Sequence, residues 1–280
     1  MTAGPPCGTA HGGRPTSRKI SARRHFARER PETAYASTYN DKRVNLRWLI
    51  PRIIKRRYHR MKLDRILRPA LAAFAADPIA GARDTALLRT LHRGWGNTGF
   101  SAMPGYLSAI VNAAVNARGD ILECGSGLST VLLALAAQKA GVRVWSLEHQ
   151  PVWKSRVERA LRNLGQNHAV CVMDAPLRQF EGFSWYDTRV LPEGLQFDIV
   201  VCDGPPASTP GGRHGLLPLM GAHLMEGATV YVDDANRPDE KAILRRWTEE
   251  EGGTFTVEGE TKSFGIFKPR AQLIPAALTY

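Results

Sequence analysis

Asp-Ile-Leu-Glu-Cys-Gly-Ser-Gly-Leu-Ser-Thr, residues 120–130, is the stretch of this 280-residue chain that decides the fold. A short apolar run leads into a glycine turn and then into helix-favouring residues, which predicts a strand, a loop and a helix start. In that arrangement, backbone N–H groups and a helix N-terminus face a ligand, and Gly125 and Gly127 permit its close approach. An ordinary strand-to-helix turn carries the same glycines, so the stretch alone leaves both interpretations open.

A carboxylate at the end of the next predicted strand favours the ligand-binding interpretation. Glu148 follows Gly125 by 23 residues, close to the spacing of an acid that binds ribose hydroxyls. A dinucleotide is disfavoured, because Thr130 stands where that fingerprint needs Gly or Ala. Glu123, two residues before Gly125, would repel a pyrophosphate but attract an ammonium or a sulfonium. We therefore expect a nucleoside cofactor that is cationic at its reactive end, rather than NAD.

Apolar runs alternate with helical stretches on both sides of this loop. That alternation predicts a parallel sheet covered on both faces, and residues 252–267 predict an antiparallel hairpin. The expected fold is α/β: a Rossmann-like, doubly wound, mostly parallel sheet with an antiparallel C-terminal hairpin strand and a helical N-terminal extension. The predicted boundaries are a disordered basic arm at 1–40, a helical extension at 41–103, the α/β domain at 104–270 and a tail at 271–280.

Composition excludes several other classes of protein. The chain is 43% hydrophobic and 23% charged, as in ordinary globular domains, and it lacks the apolar stretch that a transmembrane segment needs. Its four cysteines are too few for a disulfide framework and lack metal-binding spacing. The first thirty residues lack the apolar core of a secretory signal. We therefore expect a cytoplasmic location.

The positive charge is concentrated at the start of the chain. Residues 1–70 hold 18 of the 38 basic and 4 of the 26 acidic residues, a net charge of +14, so the rest carries −2. Residues 44–76 space apolar side chains such as Ile54, Tyr58 and Met61 among arginines and lysines, which predicts a basic amphipathic helix. Such a helix binds an anionic membrane surface or RNA, which would make the protein peripheral to a membrane. The alternative is a packing helix with a solvated basic face.

Taken together, these motifs resemble the class I S-adenosylmethionine-dependent methyltransferases over residues 100–268. The loop from Glu123 to Gly127 is similar to that family's first motif, and residues 197–206 to its fourth-strand motif. The resemblance implies that Glu148 holds the ribose and Asp174 the adenine amino group. His149 would lie beside the adenine, or else be a surface residue. The implied cofactor-binding residues are Glu123, Gly125, Ser126, Gly127, Thr130, Glu148, His149, Asp174, Ala175 and Asp203.

Three carboxylates follow the predicted fourth and fifth strands. Asp203 lies after one strand and Asp233 and Asp234 after the other, where like charges are costly unless they are paired or bound to a cation. Metal-dependent O-methyltransferases hold Mg²⁺ at these two strand ends, which makes the three residues candidate metal ligands. In sugar-modifying enzymes a second Asp stands where this chain has Pro205. The alternative is that Asp233 or Asp234 caps the next helix.

The candidate residues on the acceptor side follow the fourth predicted strand. Asp203 and His214 are the candidate catalytic residues; the near-neutral pKa of a free histidine suits a general base. Arg213 beside it would touch the acceptor, unless residues 208–218 form a plain surface loop. Trp95, Asn97 and Phe100 form either a lid or a packing contact, and Trp153, Trp185 and Trp247 are expected to pack in the interior.

The resemblance implies transfer of a methyl group to a hydroxyl of a small molecule or sugar. Base N-methylation is disfavoured, because Gly204 separates Asp203 from the two prolines that follow. The alternatives are an RNA methyltransferase, or a protein that associates with nucleic acid or membranes and binds a nucleoside without turnover.

Overall fold

The computed structural model describes residues 46–97, 99, 101–259 and 262–270, with the side chains of 46–53, 55 and 56 left aside. The predicted arm at 1–40, the predicted tail at 271–280 and Phe100 lie outside the described residues. The chain divides into two units, Met1–Tyr58 and His59–Tyr280. The site described below belongs entirely to the second unit.

A seven-stranded sheet forms the centre of the second unit. Its order is β3-β2-β1-β6-β7-β9-β8; the first five strands are parallel, and β9 runs antiparallel to both β7 and β8. This confirms the predicted fold class. The strands are β1 Asp120–Cys124, β2 Val144–Glu148, β3 Val170–Asp174, β4 Leu177–Phe180, β5 Phe183–Tyr186, β6 Phe197–Cys202, β7 Leu224–Val232, β8 Gly253–Glu258 and β9 Phe264–Pro269.

The helices follow the strands in the expected rhythm. They are α1 Leu46–Ala76, α2 Pro78–Arg83, α3 Thr85–Trp95, α4 Pro104–Ala114, α5 Leu128–Ala140, α6 Pro151–Asn163, α7 Leu216–Met220 and α8 Pro238–Glu250. Asp77 and Asp84 explain the breaks between the first three, because their side chains accept from backbone N–H groups at the starts of α2 and α3. None of the described helices has the length and apolar character that crossing a membrane requires.

The central strands are buried on both faces, as the continuous apolar runs predict. Successive side chains of a strand point to opposite faces. Ile121 packs into a cluster with α4 and α5, and the adjacent Leu122 packs into a second cluster with α7 and α8. This double coverage fixes the strands, so that their carboxyl ends open at one edge of the sheet.

Among the described side chains of helix α1, the buried ones lie near its C-terminal end. Leu71 and Phe74 join the core, whereas Ile54, Tyr58 and Met61 are each more than half exposed. The packing interpretation of the basic helix therefore holds for its last turns and not for the described basic stretch before them.

A two-stranded antiparallel sheet of β4 and β5 was not predicted. Glu181 and Gly182 form its turn, and Gly182 takes a left-handed φ of 80°. The hairpin brings Tyr186 against Gly204, where a Cβ would collide with the tyrosine hydroxyl oxygen. Tyr186 thereby becomes part of the edge at which the parallel strands end.

Candidate functional site

A cavity of about 660 Å³ opens at the carboxyl ends of the parallel strands. This is where open α/β sheets bind their ligands. Among the predicted site residues, those that line it are Gly125, Ser126, Gly127, Glu148, His149, Asp203 and Asp234, and those that do not are Glu123, Thr130, Asp174, Ala175, His214 and Asp233.

The glycine loop between β1 and α5 depends on one of its two glycines. Gly125 has a φ of 92°, and a Cβ there would lie 3.0 Å from the backbone nitrogen of Gly204. Only glycine therefore fits where β1 and β6 approach each other. Gly127 has an extended backbone, and its Cβ would meet only the Ser129 hydroxyl, at 3.7 Å. The protein itself leaves room at Gly127, on the side that faces the cavity.

Glu148 is held at the cavity wall by backbone and side-chain donors. The N–H and hydroxyl of Ser126 donate to its Oε2 over 3.1 and 2.7 Å, and the N–H of Gln150 donates to its Oε1 over 2.8 Å. The residue is only 3% exposed. His149 next to it also lines the cavity, and its ring centre lies 5.9 Å from that of Tyr186.

Glu123 and Thr130 lie beneath the loop rather than in the cavity. Both are fully buried. The Thr130 hydroxyl accepts from the N–H of Gly127 at 2.8 Å and donates to Glu123 at 2.6 Å, and the Ser146 hydroxyl donates to the same oxygen at 2.6 Å. Burial raises the pKa of Glu123 to about 7. The geometry therefore gives these two residues a supporting position under the loop, without contact to the cavity.

The predicted adenine-contacting residues flank the cavity without lining it. Asp174 ends β3 with its side chain exposed. Ala175 is buried, and its N–H donates to the backbone carbonyl of Glu148 over 2.9 Å. That bond fixes the end of β3 beside the end of β2.

Asp203, Asp233 and Asp234 lie together, as predicted, and we refer to them as the acidic cluster. Each offers an oxygen within 4.8 Å of the others. Asp233 is fully buried, and both its carboxylate oxygens lack a hydrogen-bond donor among the described residues. Asp203 is 23% exposed and faces the cavity. Burial and the charge of Asp233 raise the pKa of Asp203 well above its usual range.

The helix-cap interpretation of these aspartates is wrong. The N-cap residue of α8 is Arg237, and its side chain makes no capping hydrogen bond. Asp234 instead takes a left-handed φ of 59°, and its carbonyl accepts from the N–H of Arg237 over 2.9 Å. Non-glycine residues seldom adopt this conformation and tend to do so at functional sites. The turn brings the Asp234 carboxylate to the cavity.

Three basic side chains neutralise the acidic cluster. Arg213 lies 3.4 Å from Asp203 and 3.7 Å from Asp234. Arg237 lies 2.8 Å from Asp234. Lys262 lies 3.1 Å from Asp234 and 3.6 Å from Asp233. All three line the cavity, so the cluster is a network of ion pairs.

Arg213 also joins the two strand ends. It is 3% exposed, and its guanidinium donates to the backbone carbonyls of Asp203, over 2.9 Å, and of Asp233. It pairs with the buried Glu240 at 3.5 Å. Nearby carboxylates, Glu240 first among them, raise its pKa against the opposing effect of burial. Arg213 thus fixes the acidic cluster at the cavity, whereas the sequence allowed either contact with an acceptor or a place in a surface loop.

His214 does not line the cavity, where a general base would have to lie. Its ring packs edge-on against Phe183, with ring centres 5.4 Å apart, and its Nε2 lies 3.9 Å from Glu250. Its carbonyl accepts from the Trp247 indole over 2.9 Å. Burial lowers its pKa. Arg213 and His214 are adjacent but point in different directions, so only the arginine reaches the cavity.

Trp153 packs against the core, as expected, and it also lines the cavity. Its indole N–H donates to the carbonyl of Ser126 in the glycine loop. The Arg156 guanidinium lies over both Trp153 and Trp95, 4.7 and 4.5 Å from the ring centres. Trp95 is 2% exposed and lines the cavity too, so it packs in the core and contributes to the cavity wall.

Lys262 and Tyr186 are site residues that sequence reasoning missed. The predicted antiparallel direction of the last strand could have indicated Lys262. Since β9 runs antiparallel to β7, its first residues must lie where the parallel strands end, and Lys262 precedes Phe264 by two. Tyr186 had no such signal, because the β4–β5 hairpin was not predicted.

Comparisons with known proteins agree with this geometry. Residues 122–235 match a family model described as a methyltransferase domain, a stretch that contains the glycine loop, Glu148 and the acidic cluster. A comparison with curated proteins gave no match.

Two solved structures show the same fold. One is a candidate caffeoyl-CoA O-methyltransferase from Staphylococcus aureus, with a TM-score of 0.51 and 12% identity over 67% of this chain and 92% of that one. The other is the S-adenosylhomocysteine-bound methyltransferase PaMTH1 from Podospora anserina, with a TM-score of 0.50 and 14% identity over 69% and 88% of the two chains.

The sheet order, the glycine loop and the family match define a methyltransferase domain of the Rossmann-like type. Residues 122–235 thus belong to a methyltransferase domain, and the protein is an enzyme.

Proposed function

We propose that this enzyme transfers the methyl group of S-adenosylmethionine to a hydroxyl of a small molecule, with Asp203 accepting the hydroxyl proton. The observation that carries the proposal is that Asp203 lines the same cavity as the glycine loop and Glu148. A proton acceptor works best when its pKa lies near the working pH. Burial and the neighbouring Asp233 move the pKa of Asp203 in that direction.

The loop side of the cavity fits the cofactor. Its backbone approaches closely at Gly125, it is open at Gly127, and the fixed carboxylate of Glu148 suits two adjacent hydroxyls. The buried indole nitrogen of Trp95 lacks a hydrogen-bond partner among the described residues, and this side chain lines the cavity. S-Adenosylmethionine supplies an electrophilic methyl group. The residues of the loop bind and orient it, and the walls exclude water.

The acidic cluster does not fit a divalent ion as readily as its three carboxylates suggest. Each carboxylate already has a basic side chain within 3.6 Å. Mg²⁺ would have to displace those groups to take carboxylate oxygens at about 2.0–2.1 Å. Magnesium therefore has no part in the proposed reaction.

The test is the variant Asp203→Asn. We expect it to lose formation of S-adenosylhomocysteine with a panel of phenol, catechol and sugar acceptors, while it binds S-adenosylmethionine as the wild type does in titration calorimetry. Asp239→Asn, an exposed aspartate in the first turn of α8, is the matched control. Full turnover by Asp203→Asn would overturn the role of this carboxylate.

A second proposal concerns helix α1, which we infer to attach the protein to anionic membrane surfaces. Ile54, Tyr58 and Met61 are 59, 56 and 53% exposed, and the spacing i, i+4, i+7 places them on one helix face. Arg57 and Arg65 are exposed on the same helix. Apolar side chains among basic ones suit the interface of an anionic bilayer.

Vesicle sedimentation tests this attachment. We expect binding to vesicles that contain phosphatidylserine, little binding to neutral ones, and a clear reduction in the double variant Ile54→Ser, Met61→Ser. The control pair Ile79→Ser, Val152→Ser changes exposed apolar residues outside α1. Binding to RNA with no binding to vesicles would contradict the proposal.

A further inference from the structure

We propose that Lys262 occupies the place of a divalent cation in this site, so that methyl transfer is independent of metal and the Lys262 ammonium stabilises the acceptor oxygen. The catalytic role of Lys262 in this inference rests on the proposed function, whereas its position at the acidic cluster does not. The ion pairs that carry it are properties of the folded chain.

The acidic cluster concentrates negative charge at the cavity. Asp203, Asp233 and Asp234, together with Glu240, are held in or beside the cavity with little exposure to solvent. Like charges this close are costly unless cations neutralise them. The fold brings up three cations from three separate segments: the loop before α7, the N-cap of α8 and the connection between β8 and β9.

The three cations differ in the groups that they contact. Arg213 is committed to the backbone of both strand ends and is almost fully buried. Arg237 contacts one carboxylate of the cluster and is 46% exposed. Lys262 alone of the three bridges Asp233 and Asp234, at 3.6 and 3.1 Å. An ion bound by both aspartates would have to lie close to the position of its Nζ.

The Lys262 ammonium can also reach a ligand in the cavity. Lys262 is 25% exposed and lines the cavity beside Asp203. An ammonium group carries three N–H donors on a flexible stem. The Nζ lies within hydrogen-bond distance of Asp234, at 3.1 Å, but not of Asp233, at 3.6 Å, which leaves donors for a ligand in the cavity. Fixed positive charge is most effective where negative charge develops during a reaction.

The reaction then balances without a further reactant. The acceptor O–H bond breaks and its proton passes to the Asp203 carboxylate. The oxygen, held by the Lys262 ammonium, forms a bond to the methyl carbon. The S–CH₃ bond breaks, its electron pair stays on sulfur, and the positively charged sulfonium becomes a neutral thioether.

The direct test is metal binding by the protein alone, without cofactor or acceptor. We expect the wild type to show no heat with Mn²⁺ or Mg²⁺ in titration calorimetry, and Lys262→Met to gain Mn²⁺ binding that is lost again in Lys262→Met, Asp234→Asn. Lys241→Met, which removes an exposed lysine from α8, is the charge-matched control and should bind no Mn²⁺. Binding of Mn²⁺ by the wild type, or no gain in Lys262→Met, would overturn the proposal.

Turnover supplies the second readout. We expect the wild type to keep full activity in excess EDTA, and Lys262→Met to lose about 100- to 1000-fold in kcat, as loss of one oxyanion-stabilising group does. Lys262→Arg keeps the charge and should lose less. If Lys262→Met unfolds, the EDTA and Mn²⁺ experiments on the wild type still show whether methyl transfer depends on a metal ion. Activity that EDTA abolishes and Mg²⁺ restores would contradict the inference, whereas absence of any transfer to hydroxyls would contradict only the proposed function.

Discussion

The hydroxyl and the backbone N–H of Ser126 both donate to one carboxylate oxygen of Glu148, over 2.7 and 3.1 Å. The glycine loop after β1 and the acid at the end of β2 are therefore one structural unit, although 22 residues separate them. A ligand that uses the loop meets a carboxylate whose orientation is already set, which reduces the entropy that binding must overcome.

The role of this carboxylate in cofactor binding is directly testable. Glu148→Ala should weaken S-adenosylmethionine binding by about 1.5–3 kcal/mol, the usual loss for hydrogen bonds to a charged group. Titration calorimetry measures the change. Glu181→Ala, at the exposed turn of the β4–β5 hairpin, should leave the affinity unchanged, and an unaffected affinity in Glu148→Ala would refute the assignment to the ribose.

The two glycines of the loop should respond differently to the same substitution. Gly125→Ala forces a φ of 92° on alanine and brings its Cβ to 3.0 Å from the Gly204 backbone, so it should lower the free energy of unfolding by at least about 1–2 kcal/mol. Gly127→Ala, with its extended backbone, should change it little. Urea denaturation of the two variants provides the comparison, and equal losses would show that the cavity side of the loop is as tightly packed as the other.

Glu123 should make stability depend on pH. Its pKa is raised from 4.5 to about 7 in the folded protein, so between these values the native state holds a proton that the unfolded chain has lost. The free energy of unfolding should therefore fall as pH rises through this interval, by about 3 kcal/mol at most from this group.

The variant Glu123→Gln removes that titration while keeping an acceptor for Thr130 and Ser146. We expect its stability, measured without cofactor, to change less than that of the wild type between pH 4.5 and 7. Parallel curves for the two proteins would mean that Glu123 is charged in the folded state throughout.

Asp203 should set the acid limb of the activity profile. A proton acceptor works only when deprotonated, and burial raises the pKa of this carboxyl. Activity should therefore fall as pH decreases through that raised value, at a higher pH than an ordinary aspartate would give. The profile of kcat/KM measures this limb. A plateau that extends down to pH 4 would exclude Asp203 as the base.

The sequence predicted the sheet, the loop and the clustering of strand-end acids, because strand ends of a parallel sheet share one edge. It could not predict which way each side chain points. Glu123 and Thr130 fall below the loop and Ser126 above it, although all belong to one short motif. Spacing alone does not distinguish these directions.

The acceptor side depended on loop conformations and tertiary contacts that the sequence pattern does not encode. His214 and Arg213 are adjacent, yet one packs on Phe183 and the other joins two strand ends. The left-handed turn at Asp234 directs that carboxylate to the cavity rather than to the helix. Lys262 comes from a connection about sixty residues away from Asp203, and only the register of β9 brings it close.

The central claim is transfer of a methyl group to oxygen at the cavity that contains Asp203. The most direct measurement incubates the enzyme with S-adenosylmethionine labelled with ¹³C in the methyl group, EDTA and the acceptor panel, and locates the label by NMR and mass spectrometry. We predict an O-methyl product from the wild type and none from Asp203→Asn. Label on nitrogen or carbon, or equal O-methyl product from Asp203→Asn, would contradict the account.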